Sequence, residues 1–256
     1  MATWSELTQE LDRWHETGAN ATFWWRDDDA ADDTPQLDVL FKLAGAIPLA
    51  LAVIPGLATR TLAESVAQRS SVVVLQHGWR HNNHAQAGNS EYPGSRSMED
   101  VSQELAEGQR VLTGLFGSQA MPVFTPPWHA FDACFLPLLR RNSIIGISRR
   151  GPRAGPFARK GLLQANTHMV PVRWSDPPSF EDDGLYLAAA VEHLRGRRLG
   201  LHDPEEPTGL LTHHLVHNAR CNDFIARFAE IVSTHRAATW LNAKVIFGPQ
   251  AARGVP

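Results

Sequence analysis

Two groups of residues carry side chains able to do chemistry. Asp27, Asp28 and Asp29 end the apolar stretch Phe23-Trp24-Trp25, and His77 and His81 form an HxxxH behind the β-branched run 71–76. Three adjacent carboxylates cannot share one face of a regular strand, because successive side chains point to opposite sides. Nor do they favour a helix, where Asp competes with the backbone for hydrogen bonds. The cluster reads as the mouth of a buried strand; the bland alternative is an acidic surface turn or a helix N-cap. On a helix, HxxxH puts two imidazoles on one face, as in metalloprotease zinc sites. The adjacent Glu of those sites is absent, and Gly78 in its place disfavours a helix start. Joined to an Asp from another strand end, the two histidines make a two-His, one-carboxylate site for a divalent cation with open positions. The cation supplies a Lewis acid and activated water, and a spare carboxylate supplies a general base.

The elements that would hold these groups alternate. Trp4, Leu7, Leu11 and Trp14 mark an opening helix with a Thr3/Glu6 capping box, ending near Gly18. Residues 21–26 form the strand that delivers the Asp cluster. Thr34-Pro35 starts a helix carrying Leu37, Leu40, Phe41 and Ala44, closed by Gly45. Residues 47–54 are a second strand, a helix around Leu62 and Val66 follows, and 71–76 are a third strand running into His77. Residues 78–97 read as a long loop of the functional kind. Ser97 begins a helix through Phe116; 122–125 is a short strand ending in Pro126-Pro127-Trp128. Beyond it the pattern predicts a helix over 131–141, a strand over 143–148, a basic irregular loop over 149–160 and a strand over 168–174. A helix over 185–194 precedes a strand, 209–212, that opens onto His213-His214, and Phe224 to Val232 mark the last helix. Unbroken apolar runs fit strands buried on both faces, as in parallel sheets, and the alternation selects an α/β fold. Asp27–Asp29, His77, Trp128, Trp174 and His213 all fall just past a predicted strand end. In barrels of parallel strands those ends share one rim, and that rim carries the chemistry.

Composition narrows the class. With 43% hydrophobic and 20% charged residues, the 256-residue chain can bury a substantial core. No linker divides it, so residues 1–256 are expected to form a single catalytic domain. A net charge of -3 gives no electrostatic case for nucleic acid or an anionic membrane. Two distant cysteines, Cys134 and Cys221, suggest neither a disulfide framework nor a thiolate zinc site. The N-terminus has no export signal and no apolar run reaches membrane-spanning length, so a cytoplasmic location is expected.

The ordered set of motifs resembles the polysaccharide deacetylases, carbohydrate esterase family 4, which share a NodB-like domain. The family's paired Asp, often TFDDG, is matched by Asp28-Asp29-Ala30 or Asp27-Asp28-Asp29. Its H-S/T-x-x-H is matched by His77-Gly78-Trp79-Arg80-His81 except at the Ser/Thr; its R-x-P-Y/F is echoed by Thr125-Pro126-Pro127-Trp128; and its L-x-H is matched by Leu211-Thr212-His213. The motifs keep the family's order within residues 22–214. The resemblance implies a distorted (β/α) barrel of about seven parallel strands and a metal-dependent hydrolase that removes an N-acetyl (acyl) group from an amino sugar. It implies Asp28 as general base, His213 as general acid, and Asp29, His77 and His81 as ligands of a divalent ion, commonly zinc. Trp128, Pro127 and Trp174 are expected at the substrate, with the backbone N–H of Trp128 helping to stabilise the oxyanion.

Departures from the pattern set the open questions. The arginine that opens the third motif and orients the base Asp is Thr125, for which Arg26 or Arg80 could substitute through space. The Gly after the paired Asp is Ala30, and only Trp174-Ser175-Asp176 stands for a D-x-x-D-W. The short stretch before Thr34-Pro35 favours Asp27-Asp28 as the pair; the small Ala30 favours Asp28-Asp29, the preferred choice, with Asp27 pairing Arg80 or capping a helix. His84 and His214 could line the pocket but fit loop or supporting positions better, and His217 makes a competing LxH. Glu91-Tyr92 could fold over the substrate or lie in a solvated loop, and the basic loop could meet a phosphate. Trp24 and Trp25 are expected to pack on opposite sides of their strand. The expected partner is a small or oligomeric N-acylated sugar. A catalytically silent carbohydrate-binding barrel and an amide hydrolase acting on a non-sugar substrate are the alternatives.

Overall fold

The computed structural model describes residues 1–248. Its helices start where the sequence supplies caps. Thr3 accepts from the N–H of Glu6, whose carboxylate accepts from the N–H of Thr3, at the head of α1 (Trp4–Glu16). Thr34 caps α2 (Pro35–Ala44), Thr59 caps α3 (Arg60–Ala67) and Ser97 caps α4 (Met98–Phe116), each accepting a backbone N–H three residues on. After these come α5 (Leu136–Arg141), α6 (Asp183–Arg198), α7 (Ala219–Thr234) and the short α8 (Ala243–Ile246).

Among the described residues nine strands form one sheet. They are β1 (Ala21–Ala30), β2 (Leu49–Val53), β3 (Val72–His77), β4 (Ala120–Thr125), β5 (Gly146–Ile147), β6 (Phe157–Arg159), β7 (Leu162–Gln164), β8 (Thr208–Thr212) and β9 (Ala238–Trp240). The order is β6-β7-β5-β4-β3-β2-β1-β8, with β9 also on β1, and every ladder is parallel except β6 with β7. Parallel strands need covering on both faces, and the residues of β2 and β3 are all buried. Trp25 packs with Leu49, Leu51 and Val74 under α1, α2, α3, α6 and α7. Trp24 lies in the opposite cluster, with Ala50, Val73 and Val123, against Phe247 beyond α8. Side-chain alternation along β1 therefore puts Trp24, Arg26 and Asp28 on one face and Trp25 and Asp27 on the other.

The local outcome differs from expectation where elements are short. The strand expected over 168–174 does not form, since Pro171 has no N–H to give a ladder, and Met169 makes a lone parallel bridge to Leu210. Thr167 bridges Arg150 on the other side, so this segment lies between the sheet's two ends without a continuous ladder closing a barrel. The strand over 143–148 shrinks to β5, and the helix over 131–141 begins as a 3₁₀ turn before α5. The basic stretch 149–160 is not wholly irregular, because its end pairs as the β6–β7 hairpin.

Candidate active site

The ends of β1, β3, β4 and β8 open on one cavity of about 350 Å³, lined by Asp28, Asp29, His77, His81, Asn89, Trp128, His129, Arg150, Trp174 and His213. Two adjacent Asp reach it through an irregularity in β1. Asp27 pairs with Leu51 and Ala30 with Val53, so three steps of β1 run against two of β2. The extra residue is a bulge, with Asp29 at φ 70°. Asp tolerates this left-handed conformation better than most side chains. The turn brings Asp29 round to the cavity that Asp28 already faces.

Asp27 points away from the cavity. Its Oδ2 accepts from the Thr212 hydroxyl at 2.6 Å and the His214 N–H at 3.1 Å, and its Oδ1 lies 2.5 Å from His214 Nδ1. It does not pair with Arg80, but through the His214 N–H it meets the first residue of the 3₁₀ turn His214–Val216. β8 lies in register beside β1, with Thr212 opposite Asp27, so these donors are its neighbours. His214 thus supports β1 from behind the site, and Asp27 raises the pKa of its ring against the effect of burial.

Arg26 occupies the place sought for an arginine. Fully buried, it donates Nε–H to Asp28 Oδ1 at 2.7 Å, Nη2–H to Asp28 Oδ2 at 2.9 Å and Nη1–H to Ser148 Oγ at 2.6 Å. A forked guanidinium matched to a carboxylate is the strongest common ion-pair geometry. Burial alone would raise the pKa of Asp28, but Arg26, with His77, His213 and His129, pulls it below the ordinary value. Arg80 is exposed, its side chain beside Gly56 and its guanidinium 5.7 Å from the Trp79 ring centroid.

Asp29 Oδ1 lies 3.0 Å from His77 Nε2 and 3.3 Å from His81 Nε2. Tetrahedral coordination at bond lengths near 2.0–2.1 Å separates donors by about 3.3 Å. The tautomer of His77 decides what belongs between them. The Thr125 hydroxyl donates to the Gln76 carbonyl, so both Thr125 oxygens face His77 Nδ1 as acceptors, at 3.0 and 3.2 Å. The ring proton therefore sits on Nδ1, and Nε2 turns a lone pair toward a carboxylate oxygen. Two acceptors at that distance call for a cation between them, a proton or a metal ion. The electrostatics agree. Burial opposes charge on His77, yet Asp28 and Asp29 raise its pKa, while His77 and the neighbouring histidines hold Asp29 well below the usual carboxylate range. Burial and His77 lower the pKa of His81. The residues fit a divalent ion.

The loop between β3 and α4 shapes this half of the site. Gly78 takes φ 59° and His81 φ 58°. Glu91 is buried, neither folded over the cavity nor solvated, and its carboxylate accepts N–H groups from Trp79 at 3.0 Å and Arg80 at 2.8 Å, with Asn82 at 3.4 Å. A Cβ on Gly78 would stand 1.9 Å from Glu91 Oε2, so the clamp and a Ser/Thr at position 78 exclude each other. Tyr92 is buried against Phe124 and Phe131. Trp128 packs on His81 at 4.2 Å between ring centroids, and Trp174 meets His213 edge-on at 4.8 Å. Pro127 is buried beside Gly78 rather than in the cavity wall; His84 is exposed, clear of the cavity. His217 Nε2 accepts the N–H of His213 at 3.2 Å, a supporting contact. Burial lowers the pKa of His213 despite the three Asp.

Sequence reasoning missed His129 and Asn89, and it placed Arg150 only within the basic loop that could meet a phosphate. His129 follows Trp128 past the end of β4, so the rule that selected the other strand-end residues would have found it. Its Nδ1 is buried without a partner among the described residues, and burial, then Arg26, push its pKa down to about 3.

No family model and no curated protein matches the sequence. Solved structures do. A Mycobacterium smegmatis protein classed with the polysaccharide deacetylases superposes with a TM-score of 0.64 at 14% identity, covering 93% of each chain. The fold is that of the polysaccharide deacetylases. A Pseudomonas aeruginosa protein of the same class gives 0.59 at 12% identity, over 90% of this chain and 91% of the other. A family 4 carbohydrate esterase of Streptomyces lividans, solved with acetate, gives 0.53 at 15% identity over 84% and 89%. At these identities the deacetylase likeness is one of fold, and the side-chain geometry must carry the chemistry.

A second buried cluster looks similar and fails the tautomer test. His168 and His193 stack at 3.3 Å, their Nε2 atoms 3.4 and 3.5 Å from Glu206 Oε2. Here His168 Nδ1 accepts the N–H of Gly209, which puts its proton on Nε2, facing the carboxylate. Glu206 also accepts the N–H groups of Arg153 and Asn166. The cluster anchors a buried carboxylate with donors and offers no lone pair from His168 to a metal ion.

Proposed function

We propose that this chain is a divalent-metal-dependent deacetylase that removes the acyl group from an N-acylated amino sugar. The observation that carries the reading is the division of labour between adjacent carboxylates. Asp28 is neutralised by its own buried arginine, and Asp29 faces the lone pair of His77 Nε2 with His81 Nε2 beside it. Asp29, His77 and His81 hold the ion, zinc being the commonest choice for such ligands. When bound, it supplies Lewis-acid polarisation of the acyl oxygen and lowers the pKa of water.

The chain's own residues do the rest. Arg26 keeps Asp28 ionised and fixes its plane, so the carboxylate is ready to take a proton from the attacking water. His213 gives a proton to the departing amine; because burial lowers its pKa the ring is mainly neutral at rest, so it takes up the proton that Asp28 draws from the water and passes it on. The backbone N–H of Trp128 serves the developing oxyanion, and the Trp128 and Trp174 rings bound the sugar. Thr125 holds His77 in the ligating tautomer.

Metal analysis of purified protein, with assays on N-acetylglucosamine and its oligomers, tests this. Bound metal is expected in the parent and lost from His77→Ala plus His81→Ala. Asp28→Asn is expected to keep the metal and lower turnover about 10²–10⁴-fold. Unchanged metal content in the double variant would sink the site.

A further inference from the structure

The charges around the cavity do not balance. Asp28 is matched by Arg26, and Asp29 would be matched by the cation it is placed to hold with His77 and His81. Arg150 lines the same cavity, exposed, and makes no ion pair and no side-chain hydrogen bond among the described residues. Three residues on, Arg153 donates Nε–H to Asp203 at 2.9 Å. The backbone beneath Arg150 is fixed: Arg150 bridges Thr167 in parallel, and the Gly151 N–H donates to the Thr167 carbonyl at 2.8 Å. Arg150 thus lines the cavity from a tethered segment, and its guanidinium brings five donors with no acceptor engaged among the described residues.

Asn89 adds a second donor at the rim. Its Oδ1 already accepts from Asn83 Nδ2 at 3.0 Å, which leaves its NH₂ as the group with donors to give at the cavity. A planar fork and an amide donor lining one cavity suit an oxyanion and have nothing to offer a cation. With a divalent ion present, the cavity walls are net positive, a field that draws in anions and holds off cations. About 350 Å³ is near the lower limit for a ligand site, so the acyl group and the anion fit on one sugar unit.

We propose that Arg150 and Asn89 form an oxyanion-group subsite, and that the substrate is an N-acylated amino sugar bearing a carboxylate or phosphate. This rests on the deacetylase reading, and the test separates the two. Acetate release by the zinc-loaded chain is compared for N-acetylglucosamine, N-acetylglucosamine 6-phosphate and N-acetylmuramic acid, which are neutral, phosphate and carboxylate probes. At least one anionic probe is expected to exceed the neutral one at least 10-fold in kcat/KM; which one tells phosphate from carboxylate. In Arg150→Met that ratio is expected to fall at least 10-fold, mainly through KM, with partial recovery in Arg150→Lys. Equal kcat/KM for all three, or an Arg150→Met loss equal across them, overturns the subsite. Calorimetric binding of the same probes to zinc-loaded Asp28→Asn covers the case of no turnover. No acetate release from any probe counts against the deacetylase reading alone, and the binding preference for anions, with its loss in Asp28→Asn plus Arg150→Met, then decides the subsite.

Discussion

At the scale of single residues, the site depends on a charge inside the protein having its own counter-charge. Arg26 has no exposed surface, and all its contacts from Nε, Nη1 and Nη2 go to Asp28 and Ser148. Removing one partner of a buried pair leaves a bare charge and costs about 3–5 kcal/mol, whereas removing both is far milder. Arg26→Met is therefore expected to lower unfolding free energy by about that amount, and Arg26→Met with Asp28→Asn to recover most of it. Denaturant unfolding of the three variants checks this; equal losses in the single and double variants would show that Arg26 acts through packing. Part of the arrangement was legible in the sequence, since Arg26 and Asp28, two apart on a strand, share a face. Asp29 is expected beside Asp28 from the motif resemblance and the small Ala30 after it, and not from alternation, because its place in the cavity depends on a bulge that a period of two cannot anticipate.

At the scale of elements, the metal half of the site is held by a loop, and Glu91 gives that loop its shape. Three backbone N–H groups of residues 79–82 converge on a buried carboxylate, an anion nest that fixes where His81 emerges. Glu91→Ala is expected to weaken zinc affinity about 10–100-fold, the usual scale for losing a group that orients a ligand, and competitive zinc titration measures it. Gly78→Ala should do at least as much, since its Cβ meets both Glu91 and Pro127 at a left-handed φ. The apolar runs that became β1 to β4 and β8 were readable because strands buried on both faces leave few polar positions. β6, β7 and β9 have only three residues each, too short to show a period, and they pair because neighbouring strands present open edges. The clamp was hidden for a different reason: a carboxylate held by main-chain donors needs no partner residue of any particular type.

At the scale of the whole molecule, Glu206 ties distant parts of the chain together. It accepts from Arg153 and Asn166 and lies against His193 of α6 and His168, just before β8 closes on β1. Burial pushes the His193 pKa down to about 4, and it also lowers that of His168. An unfolded chain binds these protons near pH 6.5. Between pH 6.5 and about 4 the unfolded state therefore holds more protons than the folded one, and stability must fall as the pH drops through that window. The folded pKa of Glu206 lies far below its ordinary value, so its own contribution is lost only at still lower pH. His193→Gln removes one titrating ring while keeping a side-chain amide toward the carboxylate. Its unfolding free energy is expected to fall less steeply than the parent's over that window, the difference amounting to about 1–3 kcal/mol. Chemical denaturation at half-unit pH steps, with His235→Gln as a comparison because its ring faces Asp12 at the surface, reads the slope directly. A parent and His193→Gln that lose stability in parallel would mean that acid enters the fold somewhere other than this cluster.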